Sequence, residues 1–506
     1  MTPNFNITEL FYKAARENPQ HIAIIDGEKN IDYATLQHQV DDTVQNFMQM
    51  GIGKGDRVLV FVPMSIDLYR IVLALFRLGA TAVFLDEWVS KRRMEICCRI
   101  ATCKGFIGNR KARLLRLFSK ELRQIPVVLP VAFRKANSNN VIAQTVADDT
   151  ALITFTTGST GTPKAARRTH GFLSEQFRAL REKIDPKAGD VDMPLLPIVL
   201  LINLAAGATS VITHFKSSKP QSFKPERICQ NIERYGVNRL SASPVFVRLL
   251  AEHLIVKGKT LPELKQVFTG GAPVFPAEAA LYQRAFKDSL VEIVYGSTEA
   301  EPISSITASE LVQTGGDWLN NGLPAGKPCR QAEVKIIKIS DTLIKARDET
   351  ELPLQLANAV GEIIVAGPHV LKEYVGQEEM LKRHKIFIGD KVYHRTGDSG
   401  YLDENGLLFL TGRCAGIFES NGITIYPFLC EQMLLAIPGV SAGTVLRLGS
   451  ETVAAIEPHG NKQAVESRLK KLPIHIDRVC FVKKMPRDPR HQSKIDVEAL
   501  KHLLHC

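Results

Sequence analysis

Apolar positions along this chain follow two periods in turn. Between residues 33 and 50, Leu36, Val40, Val44, Phe47 and Met48 fall on one face at helical spacing, and Gly51 is placed to end that helix. Residues 57–62, Arg-Val-Leu-Val-Phe-Val, read as a buried strand. A second helical stripe follows through Leu68, Ile71, Val72, Leu75 and Phe76, and residues 82–85 predict another strand. Strand, helix, strand with short joints is the unit of a parallel sheet.

The same grammar recurs three times, each time with a polar, Gly-bearing turn after a strand. The 151–155 strand leads into Thr156-Thr157-Gly158-Ser159-Thr160-Gly161-Thr162-Pro163-Lys164, with a helix beyond that Thr169 is placed to cap. The 266–268 strand leads into Thr269-Gly270-Gly271-Ala272-Pro273 and a helix from about Pro276. The 291–294 strand leads into Tyr295-Gly296-Ser297-Thr298-Glu299. Ligands of open α/β sheets sit outside the carboxyl ends of strands, so the three turns are expected to face one site. After about residue 330 strands are joined by turns instead, with strands at 362–365 and 407–410 and a turn at 403–406. The last ninety residues predict a small α+β unit: a helix near 427–436, strands near 442–446, 452–456 and 478–482, and a closing helix from about Asp496.

Residues 193–213 carry no charge and are long enough to span a bilayer. Pro194, Pro197, Asn203 and Gly207 interrupt them, so a strand, a loop and a helix inside an α/β domain is the preferred reading. At 506 residues the chain exceeds one ordinary core, and 45% hydrophobic with 23% charged residues places it among soluble globular proteins, not disordered ones. The net charge of +11 raises nucleic acid or membrane as partners. The lysines and arginines read as scattered, with short clusters at 91–93 and 110–113, so the charge is taken to gather anionic substrates, with no nucleic acid and no stable membrane insertion. Nine cysteines, an odd number without a Cys-x-x-Cys pair, point to reduced thiols. With no basic-then-apolar pattern at the N-terminus, the expected compartment is the cytoplasm.

The first turn offers five hydroxyls, two glycines that let backbone N–H groups face an anion, and the charge of Lys164. It does not fit the common phosphate loop, because Gly158 and Gly161 stand too close and Pro163 precedes the lysine. The second turn lets a flat ring such as adenine approach the backbone, or is a plain tight turn. Glu299 in the third either holds Mg²⁺ beside phosphates or complements a helix dipole. Asp398, in Tyr393-His394-Arg395-Thr396-Gly397-Asp398, is a good acceptor for the two hydroxyls of a ribose, and Arg413 could join it or reach a phosphate. In residues 485–496 Pro486 and Pro489 stiffen a basic segment that either aims Lys494 at phosphate or is a solvated loop.

Together, and in this order over nearly the whole chain, these segments resemble the adenylate-forming superfamily of acyl-CoA ligases, peptide-synthetase adenylation domains and luciferases. TFTTGSTGTPKAA is similar to its phosphate loop, YGSTEAE to its adenine and metal motif, and HRTGDSGYLDENGLLFLTGR to its ribose motif and hinge approach. The resemblance implies an α/β fold: a large N-terminal domain of α/β subdomains with mostly parallel sheets plus a β-rich subdomain (1–413), and a small mobile α+β C-terminal lid (414–506). It implies ATP and Mg²⁺ as cofactors and a small-molecule carboxylic acid as substrate, with CoA or an acyl carrier as an alternative acceptor. Residues 156–162 and Lys164 would hold the β- and γ-phosphates. Gly270, Gly271, Ala272, Pro273, Tyr295, Gly296 and Ser297 would border the nucleotide, Asp398 would bind the ribose and Arg413 would sit at the domain joint. Glu299 would bind the metal and, with Thr298 and Lys494, serve the reaction.

Departures from the common pattern narrow the resemblance. Ser493 stands where a Gly usually precedes the lysine, Ala415 where the hinge carries an Asp, and Leu200 where many CoA ligases have a His. The usual GxRI(E) reads Gly422-Ile423-Thr424-Ile425-Tyr426. SNGITIYPFLCE, PRDPRHQSKI and LPIVLLINLAAGATSVI are similar to the branch holding the β-lactone synthetases of olefin biosynthesis. That resemblance implies adenylation of a β-hydroxy fatty acid whose own hydroxyl then displaces AMP. An internal nucleophile at high effective molarity removes the need for CoA.

Overall fold

A computed structural model describes residues 5–85, 90–136, 143–157, 163–215, 222–314, 316, 318–487 and 495–505. Two large sheets organise the chain. The smaller has six strands in the order Val127–Leu129, Gly105–Gly108, Arg57–Phe61, Thr81–Phe84, Thr150–Thr157, Pro163–Thr169. Its first five strands are parallel, as the strand–helix–strand pattern requires, and the sixth is antiparallel. The expected helices are present as Tyr33–Gln49 and Ile66–Arg77, with Leu36, Val40, Val44, Ile71 and Leu75 fully buried.

The larger sheet has 14 strands. Strands Ile22–Asp26, Thr209–Ile212, Val191–Pro194, Arg239–Ala242, Gln266–Gly270 and Leu290–Ser297 run parallel. From Ala300–Thr307 onward the pairing turns antiparallel, through Leu323–Pro328, Leu408–Arg413, Lys391–Leu402, Gly361–Ala366 and Glu333–Ile337. The β-rich region expected after residue 330 therefore continues the parallel sheet along one hydrogen-bonded path. Residues 193–213 form the end of one strand, the helix Pro197–Ala206 and the strand Thr209–Ile212. Among the described residues no helix is long and apolar enough to cross a membrane.

Two turns differ from the sequence pattern in one way. After Thr157 the chain returns as the antiparallel strand Pro163–Thr169, with Thr157 opposite Pro163 and Thr156 opposite Lys164. Only then does the helix His170–Ile184 begin, and Thr169 caps it by accepting from the Phe172 N–H at 3.0 Å. Likewise Leu290–Ser297 runs on into Ala300–Thr307, so Thr298 and Glu299 form a hairpin tip. The β-branched Ile303 and Ile306 suit the second of these strands, but Pro163-Lys164 and Glu301-Pro302 hid both. The helix-dipole reading of Glu299 is excluded, because no helix starts there.

The C-terminal stretch contains the hairpin Phe418–Ser420/Ile423–Ile425, the helix Pro427–Leu435 and the sheet Val440–Leu448, Glu451–Pro458, Arg478–Phe481. Two hydrophobic clusters, one around Leu434 and Ile456 and one around Leu446 and Leu500, draw all their members from residues 418–504. The eight described cysteines are free, and five of them are buried.

Candidate active site

The two sheets meet around one cavity of about 1730 Å³. That exceeds the ~300–1,000 Å³ of an ordinary small-molecule site, and leaves room for a nucleotide beside a second, extended ligand. Thr154 and Lys164 line it from the six-stranded sheet. Gly270, Gly271, Ala272, Pro273, Tyr295, Gly296, Ser297, Thr298, Glu299, Asp398 and Arg413 line it from the large sheet. The second and third turns therefore converge on one cavity, and Thr154 and Lys164, which flank the first, face it from the other sheet. Gly158, Ser159, Thr160, Gly161, Thr162 and Lys494 lie outside the described residues. Thr156 and Thr157 end the strand that leads into that loop.

Asp398 and Arg413 face each other across adjacent antiparallel strands. Arg413 Nε stands 3.1 Å from Asp398 Oδ1, and Tyr295 Oη donates to Asp398 Oδ2 at 2.8 Å. The Asp398 N–H donates to Thr396 Oγ1 at 3.0 Å, and Gly397 between them has φ +70°, which fixes the turn. Burial, reinforced by Asp398, holds the Tyr295 hydroxyl well above its ordinary range, so it remains a donor. Asp398 in turn raises the Arg413 guanidinium further. Each carboxylate oxygen keeps a lone pair beyond these contacts, enough for a vicinal diol.

Across the cavity Glu299 is buried and accepts from Tyr374 Oη at 3.2 Å. Two buried lysines attend the same tyrosine: Lys164 Nζ and Lys385 Nζ each lie 5.8 Å from its ring centroid. Burial pulls Lys164 below its ordinary value, with Glu299 opposing. Lys385, 2% exposed and without a hydrogen-bond partner at Nζ, is lowered to about 7 by burial, against the pull of Glu299. Burial lowers His384 to about 4 and His394 well below its usual range, so neither imidazole adds charge. Tyr374 and Lys385 carried no local signal, since a lone Tyr and a strand Lys are common surface residues.

The floor between these groups is open backbone. A Cβ on Gly270 would sit 2.7 Å from the Val294 carbonyl oxygen, so only glycine fits there. Gly271 has φ +84°, a left-handed conformation that favours glycine. Thr154, Thr269 and Ser297 present buried hydroxyls without partners. These orphan donors, with Lys164, suit a polyanion. Among the described residues no group of three His, Cys, Asp or Glu could hold a metal by itself. One buried carboxylate beside a polyphosphate is nevertheless the usual protein share of a Mg²⁺ site.

The remaining wall is apolar, with Leu196, Ile198, Val199, Phe246, Val274 and Phe275 exposed to the cavity. Phe215, Phe223 and Phe246 pack with centroids 4.8–5.5 Å apart. Residues 195–201 thus supply cavity wall. Leu200 is an exception: it is fully buried in the core beneath. Ala415, in the 3₁₀ turn Cys414–Gly416, does line the cavity.

Comparison with known proteins identifies the family. Residues 11–375 match the model of the AMP-binding enzyme family, and the chain belongs to that family. It is an AMP-forming acid ligase of the acyl-adenylate class. The olefin β-lactone synthetase of Stenotrophomonas maltophilia is 29% identical, covering 98% of this chain and 97% of its own. That of Xanthomonas campestris is also 29% identical, over 99% and 97%. A putative acyl-CoA ligase of Bacillus subtilis is 27% identical over 94% and 95%. Among solved structures, an amide bond synthetase from Marinactinospora thermotolerans superposes with a TM-score of 0.80 at 21% identity, over 98% of this chain and 99% of the other. O-succinylbenzoate coenzyme A synthetase from Bacillus subtilis, in complex with ATP and magnesium, gives 0.80 at 22% over 97% and 99%. At such identities the superpositions establish the fold.

Proposed function

We propose that this enzyme adenylates a β-hydroxy fatty acid with ATP and closes the acyl-adenylate to a β-lactone. The observation that carries this reading is the similarity to olefin β-lactone synthetases over nearly the full length of both chains. The apolar wall beside the polar cleft supports an acyl chain as the second ligand. In the first step a carboxylate oxygen attacks the α-phosphorus and pyrophosphate leaves. In the second the β-hydroxyl oxygen attacks the acyl carbonyl and AMP leaves, so the acid loses one water overall.

Asp398, fixed by Tyr295 and Arg413, accepts from the ribose hydroxyls. The Gly270-Gly271-Ala272-Pro273 floor, Tyr295, Gly296 and Ser297 bound the nucleotide. Lys164 and residues 156–162 hold the departing phosphates, while Glu299, oriented by Tyr374, holds Mg²⁺ beside them, with Thr298 in the same tip. The metal, when bound, neutralises charge on the phosphates. Lys494, carried with residues 414–506 as a lid on the 1–413 domain, stabilises charge that grows in the adenylation transition state, an effect often worth on the order of 10²–10³ in rate.

A second reading is an acyl-CoA or acyl-carrier ligase, favoured by the similarity to the putative acyl-CoA ligase. Mass spectrometry of products from ATP, Mg²⁺ and a racemic β-hydroxy fatty acid, with and without CoA, separates the two. A CoA-independent product lighter than the acid by one water, together with AMP, is expected. A thioester formed only with CoA would replace the lactone reading by the second. No pyrophosphate with any acid would identify a nucleotide-binding homologue that does not catalyse.

A further inference from the structure

One helix wears its apolar face outward. In Arg110–Phe118 the buried residue is Ala112, while Leu114, Leu115, Leu117 and Phe118 are 57%, 43%, 64% and 70% exposed. At ~100° per residue these four side chains occupy one continuous arc of about 160°. An exposed apolar face on a short helix, left without a partner, is costly unless something covers it.

The charge around it is equally one-sided. Residues 90–125 hold eleven lysines and arginines against two glutamates, a net +9 of the chain's +11. The excess of lysine and arginine is therefore not scattered, as it was taken to be from the sequence, but concentrated in one stretch of 36 residues. Helix Lys91–Ala101 lies beside the Arg110–Phe118 and Lys120–Gln124 pair, tied by Arg99–Glu121 at 3.0 Å and by Ser119 Oγ donating to Glu95 at 3.3 Å. Both glutamates are thereby engaged. Arg113 and Arg116 donate to backbone carbonyls. Lys91–Ala101 and Arg110–Phe118 each follow a parallel strand, Thr81–Phe84 and Gly105–Gly108, so both begin at the same carboxyl edge of the sheet. There Lys91, Arg92, Arg110 and Lys111 are all exposed. Neither first turn holds an acid, so both helices open with cations that their own dipoles disfavour. A local rule broken twice at one edge points to an external anion.

The same edge opens on the active-site cavity. Asn109, Lys111, Ala112 and Leu115 line it, while Leu114, Leu117 and Phe118 look away from it. We infer that the Arg110–Phe118 helix, with the start of Lys91–Ala101, docks this enzyme on an anionic lipid surface and sets the cavity mouth against it. The cations meet the headgroups and the leucines and phenylalanine enter the acyl boundary, as in an interfacial amphipathic helix. Docking requires no spanning helix. That an acyl substrate enters from the lipid rests on the proposed function; the docking itself does not.

Co-sedimentation tests it, with vesicles of phosphatidylcholine alone or mixed equally with phosphatidylglycerol. The full chain is expected to sediment with the anionic vesicles at low salt and to be released as salt rises. L114Q/L117Q/F118Q and K91E/R92E/R110E should each weaken binding roughly tenfold or more. Pyrophosphate release with a short, water-soluble acid should stay unchanged in both variants, which also shows that they fold. No binding to anionic vesicles, or equal binding by the apolar variant, would overturn the inference. So would light scattering that finds a dimer dissociated by L114Q/L117Q/F118Q, since a second copy would then cover the face. Vesicle binding without adenylation of any acid would uphold the docking and sink the proposed function alone.

Discussion

Asp398 offers the sharpest test of the nucleotide site. Its two oxygens already face Tyr295 and Arg413, and the two lone pairs left over suit the ribose diol. A hydrogen bond to a charged acceptor contributes ~1.5–3 kcal/mol. Taking the lower end twice gives ~3 kcal/mol, or roughly 100-fold in affinity, for Asp398→Ala. The truncation also frees Tyr295 and Arg413, so the loss for ATP alone would not be specific. The remedy is a cycle with 2′,3′-dideoxy-ATP, titrated calorimetrically with Mg²⁺ and without acid. The wild type should bind the dideoxy analogue roughly 100-fold more weakly than ATP, whereas Asp398→Ala should barely distinguish them. If the variant loses the same factor for both nucleotides, the coupling is zero, and Asp398 does not contact the ribose hydroxyls.

Lys494→Ala should abolish adenylation, read as pyrophosphate release, while leaving the calorimetric affinity for ATP largely intact; near-normal release would refute its role. Lys385 carries a pH signature. Below about pH 7 it is charged in both folded and unfolded chains, and the folded state bears the cost of the buried charge. Between about 7 and its ordinary value of 10.5 only the unfolded chain keeps the proton, so this cost fades as pH rises. Lys385→Met should therefore raise the melting temperature by several degrees at pH 6.5 and by progressively less toward pH 10, and a pH-independent difference would contradict the burial argument.

Much of this was legible in the sequence because it is local. Strand–helix alternation fixed the parallel parts, and Thr169 marked its helix by the cap it makes. The Gly-bearing turns announced themselves by composition. What stayed hidden depends on chain segments far apart. Strand Pro163–Thr169 looks unlike a strand because Pro163, Lys164, Arg167 and Arg168 break the apolar alternation; it forms because the preceding strand supplies a ladder and the core accepts Ala165 and Ala166. Tyr374 reaches Glu299 across 75 residues, and no pattern in either neighbourhood foretells it. Leu200 shows the converse: it stands in an informative motif, yet the helix turns it into the core. The outward face of Arg110–Phe118 lay beyond the sequence for a similar reason, since periodicity gives the width of an apolar stripe and not the direction it points.

Arg413 is the last residue of its strand, and the chain turns immediately after it through Cys414–Gly416. A point on an axle travels least when the wheel turns. Were the segment beyond residue 413 to swing about that turn, Arg487 and Lys501, which also line the cavity, would sweep through large arcs. Arg413 and its partner Asp398 would hardly move. A ribose gripped at the pivot could then stay seated while the groups around the acyl end of the cavity are exchanged, so that two successive reactions share one bound nucleotide without letting it go.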